Sequence, residues 1–318
     1  MKMLKAVLLC LVSLAANAQE YPNRPLRVIV PYAAGGLPDT IARLVGQKMG
    51  ETLGQQMVIE NRGGAGGIVG TTDVAKAAPD GYTLLVADVG QIAINPHLFS
   101  KLPYEPLKDL ASVSLIGTSA LYLVAHSSVP AKNMQELIAL LKSQPGKFSY
   151  GSSGTGSIHH LATEALKVGF GLDMVHVPYK GTGQSVPALL GGQVSLLYAA
   201  LPSIQGHVKD GKVKILAVST PQRSPQAPDV PTVAEAGIPG YDFVAEIALY
   251  APTGTPRDIV QKLATQAARA VKQPDVIERF KQLGIDAVGS TPEALTEQNK
   301  ANYEKYAKVV KASGAKID

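Results

Sequence analysis

Seven consecutive residues, Gly151-Ser152-Ser153-Gly154-Thr155-Gly156-Ser157, combine three glycines, four hydroxyls and no charge directly ahead of a helical pattern. Glycine lets a ligand approach the backbone and permits positive φ. A helix start offers unpaired N–H groups at the positive end of the peptide dipole, and together these attract an anion. Ser152, Ser153 and Thr155 can donate to a carboxylate, and Ser157 suits the N-cap. The same residues would serve equally as a turn whose glycines only permit tight strand–helix packing. The stretch Ala33 to Asp39 has a similar form. Pro38 suits the first helical position and Asp39 complements the dipole in the first turn, so Asp39 reads as structural; its charge would also oppose a carboxylate beside it.

Enzymatic patterns are weaker. Gly64-x-Gly66-x-x-x-Gly70 follows a strand and opens a helix, and Asp88 ends the next strand, much as in a dinucleotide-binding turn with its ribose-binding acid. Val69 stands where the third glycine of that motif belongs. A complete phosphate-cradling Gly-x-x-x-x-Gly-Lys-Ser/Thr is absent, and so is a Gly-x-Ser-x-Gly elbow. His159 and His160 are neighbours, and adjacent helical side chains diverge by about 100°, so they do not chelate one metal. This reading turns one of them to a cleft and the other to the helix surface. It assigns no catalytic group, no metal and no cofactor.

The elements that must position these turns alternate. Arg27–Tyr32, Met57–Glu60 and Thr83–Ala87 are short β-branched runs, with helical patterns at Thr40–Leu53 and from the Asn61–Gly70 turn to about Ala78. Val113–Ile116 and Leu121–Ala125 follow, separated by Gly117-Thr118-Ser119, then a helix at Met134–Ser143 and a strand at Phe148–Gly151. A helix over Ser157–Val168 and strands at Met174–Pro178, Val194–Tyr198 and Val213–Ser219 lead to the Pro-rich passage 221–239. A strand at Phe243–Tyr250 and two helices, Pro256–Leu283 and Pro292–Ala312, complete the series. Strands alternating with helices predict an α/β fold with parallel sheets. RVIVPYAAGGLPDTIARLV and FSYGSSGTGSIHHLATEAL are both strand, glycine-rich turn and helix, which points to two related lobes.

Lys2 and Lys5 precede an apolar run, Ala6–Ala16, and Ala16-Asn17-Ala18 has the small residues of a signal-peptide cleavage site. The run is too short to span a bilayer, so residues 1–18 read as a secretory signal cleaved after Ala18 and the chain as exported. The single cysteine, Cys10, falls inside that segment, and Leu9 suits lipobox processing poorly. Loss of Lys2 and Lys5 lowers the formal charge from +5 to +3. The remaining Lys and Arg are scattered, without the basic stripe and stacking aromatics that nucleic acid requires. A chain of 318 residues suits two domains.

The ordered blocks identify a family by resemblance. Val30-Pro31-Tyr32-Ala33-Ala34-Gly35-Gly36 with Asp39, Glu60-Asn61-Arg62-Gly63-Gly64-Ala65-Gly66-Gly67, Pro79-Asp80-Gly81-Tyr82, Tyr150 to Ser157 with His160-Leu161, and Val177-Pro178-Tyr179-Lys180-Gly181 are among them. They resemble the periplasmic solute receptors of tripartite tricarboxylate transporters, the Bug receptors. That resemblance implies a type II periplasmic-binding-protein fold: two doubly wound lobes with a ligand cleft between them. Residues 19–120 plus 240–318 would form one lobe and 121–239 the other, with crossovers near Thr118–Leu121 and Pro239–Phe243. It further implies a monomeric, non-enzymatic receptor that delivers a small carboxylate-bearing ligand to membrane permease subunits. A sensor subunit for a signalling partner is the alternative, and an exported enzyme a weaker one. Candidate contacts are Tyr32, Ala34, Gly35, Gly36, Asp88 and Gln91 on the first lobe, Ser119 at the crossover, and Ser152, Ser153, Thr155, Gly156, Ser157, His160, Tyr179 and Ala199 on the second. Glu246, on the return strand, completes the set. Many members carry a large apolar group where Glu246 stands and a small or hydroxyl residue near Asp88, and several have Asp at Ser195. Two acids at the mouth would favour a ligand with a cationic or amide group beside its carboxylate, unless both face solvent or cap neighbouring helices.

Overall fold

The computed structural model describes residues 21–314, apart from Ala33 and Lys180. The signal segment with Cys10, and those two members of the family blocks, lie outside the described residues.

The buried run β1 (Leu26–Val30) leads through Tyr32 and the Ala34–Gly36 turn into α1 (Leu37–Leu53), which stops at Gly54 in the left-handed conformation. Then come β2 (Met57–Asn61), α2 (Ile68–Ala75), β3 (Thr83–Asp88) and the long β4 (Leu110–Ala120). After the single residue Leu121 the chain enters β5 (Tyr122–His126), α3 (Met134–Ser143), β6 (Ser149–Ser152), α4 (Ile158–Phe170), β7 (Val175–Pro178) and α5 (Thr182–Leu190). Next are β8 (Leu196–Ala199) and β9 (Val213–Val218); the return passage leads to β10 (Val244–Pro252), α6 (Arg257–Ala270), α7 (Pro274–Gln282), β11 (Asp286–Ala287) and α8 (Pro292–Ser313).

Two sheets result, ordered β11-β4-β10-β3-β1-β2 and β7-β6-β8-β5-β9. β1 is parallel to β2 and β3, and β6 is parallel to β7 and β8. In each sheet the strand that follows a crossover is antiparallel to its neighbours: β10 between β3 and β4, and β5 between β8 and β9. Leaving β11 aside, the two sheets share one arrangement: second, first, third, crossover strand, fourth. The repeated strand–turn–helix of the sequence occupies the equivalent first position in both, β1 to α1 and β6 to α4.

Two local expectations change, and one helix is new. Gly117-Thr118-Ser119 is not a break; it lies within β4, where the β10 pairing shifts register after Ile247 and so absorbs the irregularity. The helix expected over Pro256–Leu283 is two helices, because Pro274 opens a new first turn and cannot donate in the middle of a continuous one. α5, with Pro187 inside it, had no sequence signal.

The core of the first sheet gathers β1 and β3 with α1, α6 and α7. In the second, Leu161 and Leu166 of α4 pack with Tyr150, Leu196 and Tyr198. α8 joins both: Leu295 packs with Ala248 and Tyr250 of β10, while Tyr306 and Val310 enter the cluster that holds Leu161, Tyr241 and Phe243. The two crossover segments are tied at Ser219, whose N–H donates to Leu121 O (2.8 Å) and whose hydroxyl donates to Phe243 O (2.5 Å).

Candidate ligand-binding site

Ligands of parallel sheets sit beyond the carboxyl ends of the strands. At the end of β1, Gly35 has φ +83° and donates its N–H to Oδ2 of Asp39 (2.9 Å). Asp39, 3% exposed, also accepts from Nδ2 of Asn61 (2.9 Å) and pairs with Arg43 (2.9 Å). Burial works against its charge, yet the bonds from Arg43, Gly35 and Asn61 outweigh that and lower its pKa. Asp39 therefore shapes the turn, and its charge is neutralised before a ligand meets it.

Tyr32 leaves the same strand end and donates its hydroxyl to Oδ2 of Asp88 (2.6 Å), while Nε2 of Gln91 donates to the Tyr32 oxygen (2.9 Å). The other oxygen of Asp88 accepts the Gly90 N–H (2.7 Å). Burial raises the Asp88 pKa against those two bonds. Gln91 also donates to Gly66 O (3.0 Å), as does Asn95 (3.0 Å). A Cβ on Gly67 would lie 2.5 Å from Nε2 of Gln91. Within the stretch that suggested a dinucleotide turn, Gly67 thus makes room for Gln91 and Gly66 accepts from it.

At the end of β6 the hydroxyls and amides are held by histidines. Ser152 Oγ lies 2.7 Å from Nε2 of His176 and accepts the Gly154 N–H (3.1 Å); Ser153 Oγ lies 2.8 Å from Nδ1 of His159. Gly156 donates its N–H to Nδ1 of His160 (3.2 Å), and Ser157 caps α4 by accepting the His160 N–H (3.3 Å). Tyr179 donates its N–H to Ser152 O (3.1 Å). Thr155 is exposed. Neither His159 nor His160 is a bare surface residue; both reach back to the turn, because its φ > 0 glycines at 154 and 156 fold it over the first turn of α4.

Three candidates are engaged elsewhere. Ser119 is buried and donates to Gly284 O (2.9 Å), ahead of β11. Ala199 is wholly buried, and its methyl lies in the cluster that contains Tyr122 and Leu197. Glu246 accepts from Gln298 (3.0 Å) and Asn302 (2.8 Å), both on α8; burial raises its pKa while those partners and Lys305 oppose the rise. Both acids are therefore already hydrogen-bonded, Glu246 to α8 and Asp88 to Tyr32 and Gly90, in keeping with the alternative that they cap neighbouring elements. His176 was missed, since a lone histidine in a strand carries no spacing signal. So was the chain Tyr150 OH to Glu164 (2.5 Å) to Lys167 (2.8 Å) beneath the turn.

The model of the tripartite tricarboxylate transporter family receptor matches residues 41–315. The chain belongs to that receptor family. BugT of Bordetella pertussis is 36% identical, over 95% of this chain and 93% of its own. The periplasmic binding protein BugD superimposes with a TM-score of 0.83 at 35% identity, covering 94% of this chain and all of BugD. A Rhodopseudomonas palustris protein solved with adipate gives 0.86 at 32%, again over 94% of this chain and all of that one. MatC of the same organism, with bound malate, gives 0.82 at 36%, over 91% of this chain and all of MatC. The receptor accordingly has the periplasmic-binding-protein fold and serves solute capture for a tripartite tricarboxylate-type transporter. Among its described residues no helix is long and apolar enough to cross a membrane.

Proposed function

We propose that this receptor captures one small carboxylate-bearing solute between the β1–α1 turn and the β6–α4 turn and passes it, chemically unchanged, to permease subunits. The observation that carries this reading is the pairing of two uncharged, glycine-containing turns in equivalent places of two matching sheets, each opening a long helix. The helix starts attract anionic groups. Tyr32, Ala34, Gly35, Gly36 and Gln91 are the contacts from the first sheet; Ser153, Thr155 and Ser157 are those from the second, with Tyr179 beside them. Ser152, Gly156 and His160 build the turn and act through it. Asp88 stands at the rim, where its two occupied oxygens still leave acceptor capacity for an ammonium or amide group. The malate and adipate seen with two relatives support a carboxylate as the anchoring group. Ser152 and Ser153 each lie within hydrogen-bond distance of a histidine, and in this reading those rings position the turn; the absence of turnover of the released solute checks this. Cleavage after Ala18 and a monomeric mature receptor belong to the same proposal.

The test is mass spectrometry of solute released from natively purified protein, followed by calorimetry with malate, adipate and glutamate. Ser153→Ala is expected to weaken binding about tenfold, the worth of one charge-assisted hydrogen bond. A released molecule without a carboxylate would overturn the anchoring group, and unchanged affinity in that variant would remove Ser153 from the site. Glutamate binding tighter than malate would assign Asp88 the ammonium group.

A further inference from the structure

Three histidines hold three parts of the β6–α4 turn: His176 at Ser152, His159 at Ser153 and His160 at Gly156. A backbone N–H only donates, so Nδ1 of His160 carries no proton, and the ring is the neutral tautomer protonated at Nε2. His160 is 5% exposed and stacks on His176 with ring centroids 4.1 Å apart; His176 stacks in turn on Tyr150 at 4.9 Å. We propose that His160, flanked by His159 and His176, is a proton-sensitive latch on the ligand turn: its neutral ring holds the Gly156 amide, and protonation at Nδ1 releases the turn and its solute. The latch makes these histidines positioning residues, and its effect on the solute rests on the receptor reading above.

The charged and titratable groups around the latch come from every element packed there. α4 contributes Glu164 and Lys167, which pair at 2.8 Å; β6 contributes Tyr150, which donates to Glu164; β7 contributes His176. Burial disfavours the charged form of His160, Glu164 partly offsets this, and Lys167 reinforces it. Burial alone lowers the His159 pKa to about 4. His176 falls to about 4 through burial and the neighbouring His160 and Lys167, against Glu164. The neutral forms therefore prevail at neutral pH, and the latch opens as acidity increases below the ordinary histidine range. Two rings stacked this closely also resist becoming charged together, which couples their titration.

The experiment follows histidine nitrogens by NMR and the exchange protection of the Gly156 amide in the full receptor without solute, from neutral pH to about pH 4, the depressed range of a buried histidine. The wild type is expected to show the Nε2–H tautomer of His160 at neutral pH and at least a tenfold loss of Gly156 protection across its titration. His160→Asn offers Oδ1 at the position of Nδ1 and does not titrate, so it should keep protection throughout. His160→Leu should lack protection at every pH. Malate affinity should fall severalfold further on acidification in wild type than in His160→Asn, a comparison that cancels protonation of malate itself. An Nδ1–H tautomer, or a protection profile in His160→Asn that follows wild type, overturns the latch; both readouts stand even if His160→Leu does not fold. A turn that titrates as described in a chain whose released solute carries no carboxylate overturns the carboxylate reading and leaves the latch in place.

Discussion

At the scale of single residues, the site is built from groups that satisfy one another before any solute arrives. Asp39 is the clearest case, since its carboxylate takes the Gly35 amide, Asn61 and Arg43 at once. Asp39→Asn keeps the shape but loses the charge, and at neutral pH it is expected to cost roughly 1–3 kcal/mol in urea unfolding. The folded-state pKa of Asp39 is depressed, so its contribution is present above the ordinary carboxylate range and disappears as pH falls through the lowered value. The gap between variant and wild type should therefore close in strong acid; a gap that stays constant would mean the charge contributes nothing. The histidines of the second turn run in the same direction, being lowered bases: the unfolded chain binds more protons than the folded one below the ordinary histidine range, and stability declines there. That Asp39 serves structure was legible from its place in a first helical turn. Its partner Asn61 lies 22 residues away on β2, beyond the reach of any local pattern.

At the scale of elements, glycines decide which loops can close on which side chains. Gly67 has φ +86°, and its missing Cβ leaves room for Gln91, which in turn joins Tyr32 to Gly66. Gly67→Ala is both conformationally strained and in collision, so it should expel Gln91 and lower stability by about 1–3 kcal/mol. Thermal unfolding checks this, and solute affinity should drop with it, because Tyr32 loses its brace. An unchanged melting temperature would mean that Gln91 has another rotamer at no cost. The turns themselves were readable, since glycine, serine and proline act on backbone geometry within a few residues. The continuity of β4 through Gly117 was not, because it depends on pairing with β10 more than a hundred residues later.

At the scale of the molecule, α8 links the two sheets. It starts beside β10 of the first sheet at Leu295 and ends with Tyr306, 1% exposed, in the core of the second. Tyr306→Ala removes a buried aromatic ring, and the expected cost is about 3–5 kcal/mol. Hydrogen exchange should then report lost protection around Tyr241 and Phe243 as well as along α8 itself. Protection lost in α8 alone would show that the helix merely lies on the second sheet. Glu246 belongs to this scale too: its partners Gln298 and Asn302 make it part of the α8 seam. Those bonds weaken the case for a ligand chosen by two free acids, and the solute screen decides the role of Asp88.

The amino-acid sequence by itself determined the class of elements, their alternation, the repeated strand–turn–helix unit and the uncharged character of the second turn. These follow from hydrophobic periodicity and from the backbone preferences of glycine, proline and serine, all of which act locally. Only the tertiary structure decided which polar groups remain free, turning Ser119 to Gly284, Glu246 to α8 and Gly156 to His160. A buried donor or acceptor must find a partner wherever the fold brings one, and the fold brings it from another element, at a separation no spacing rule encodes.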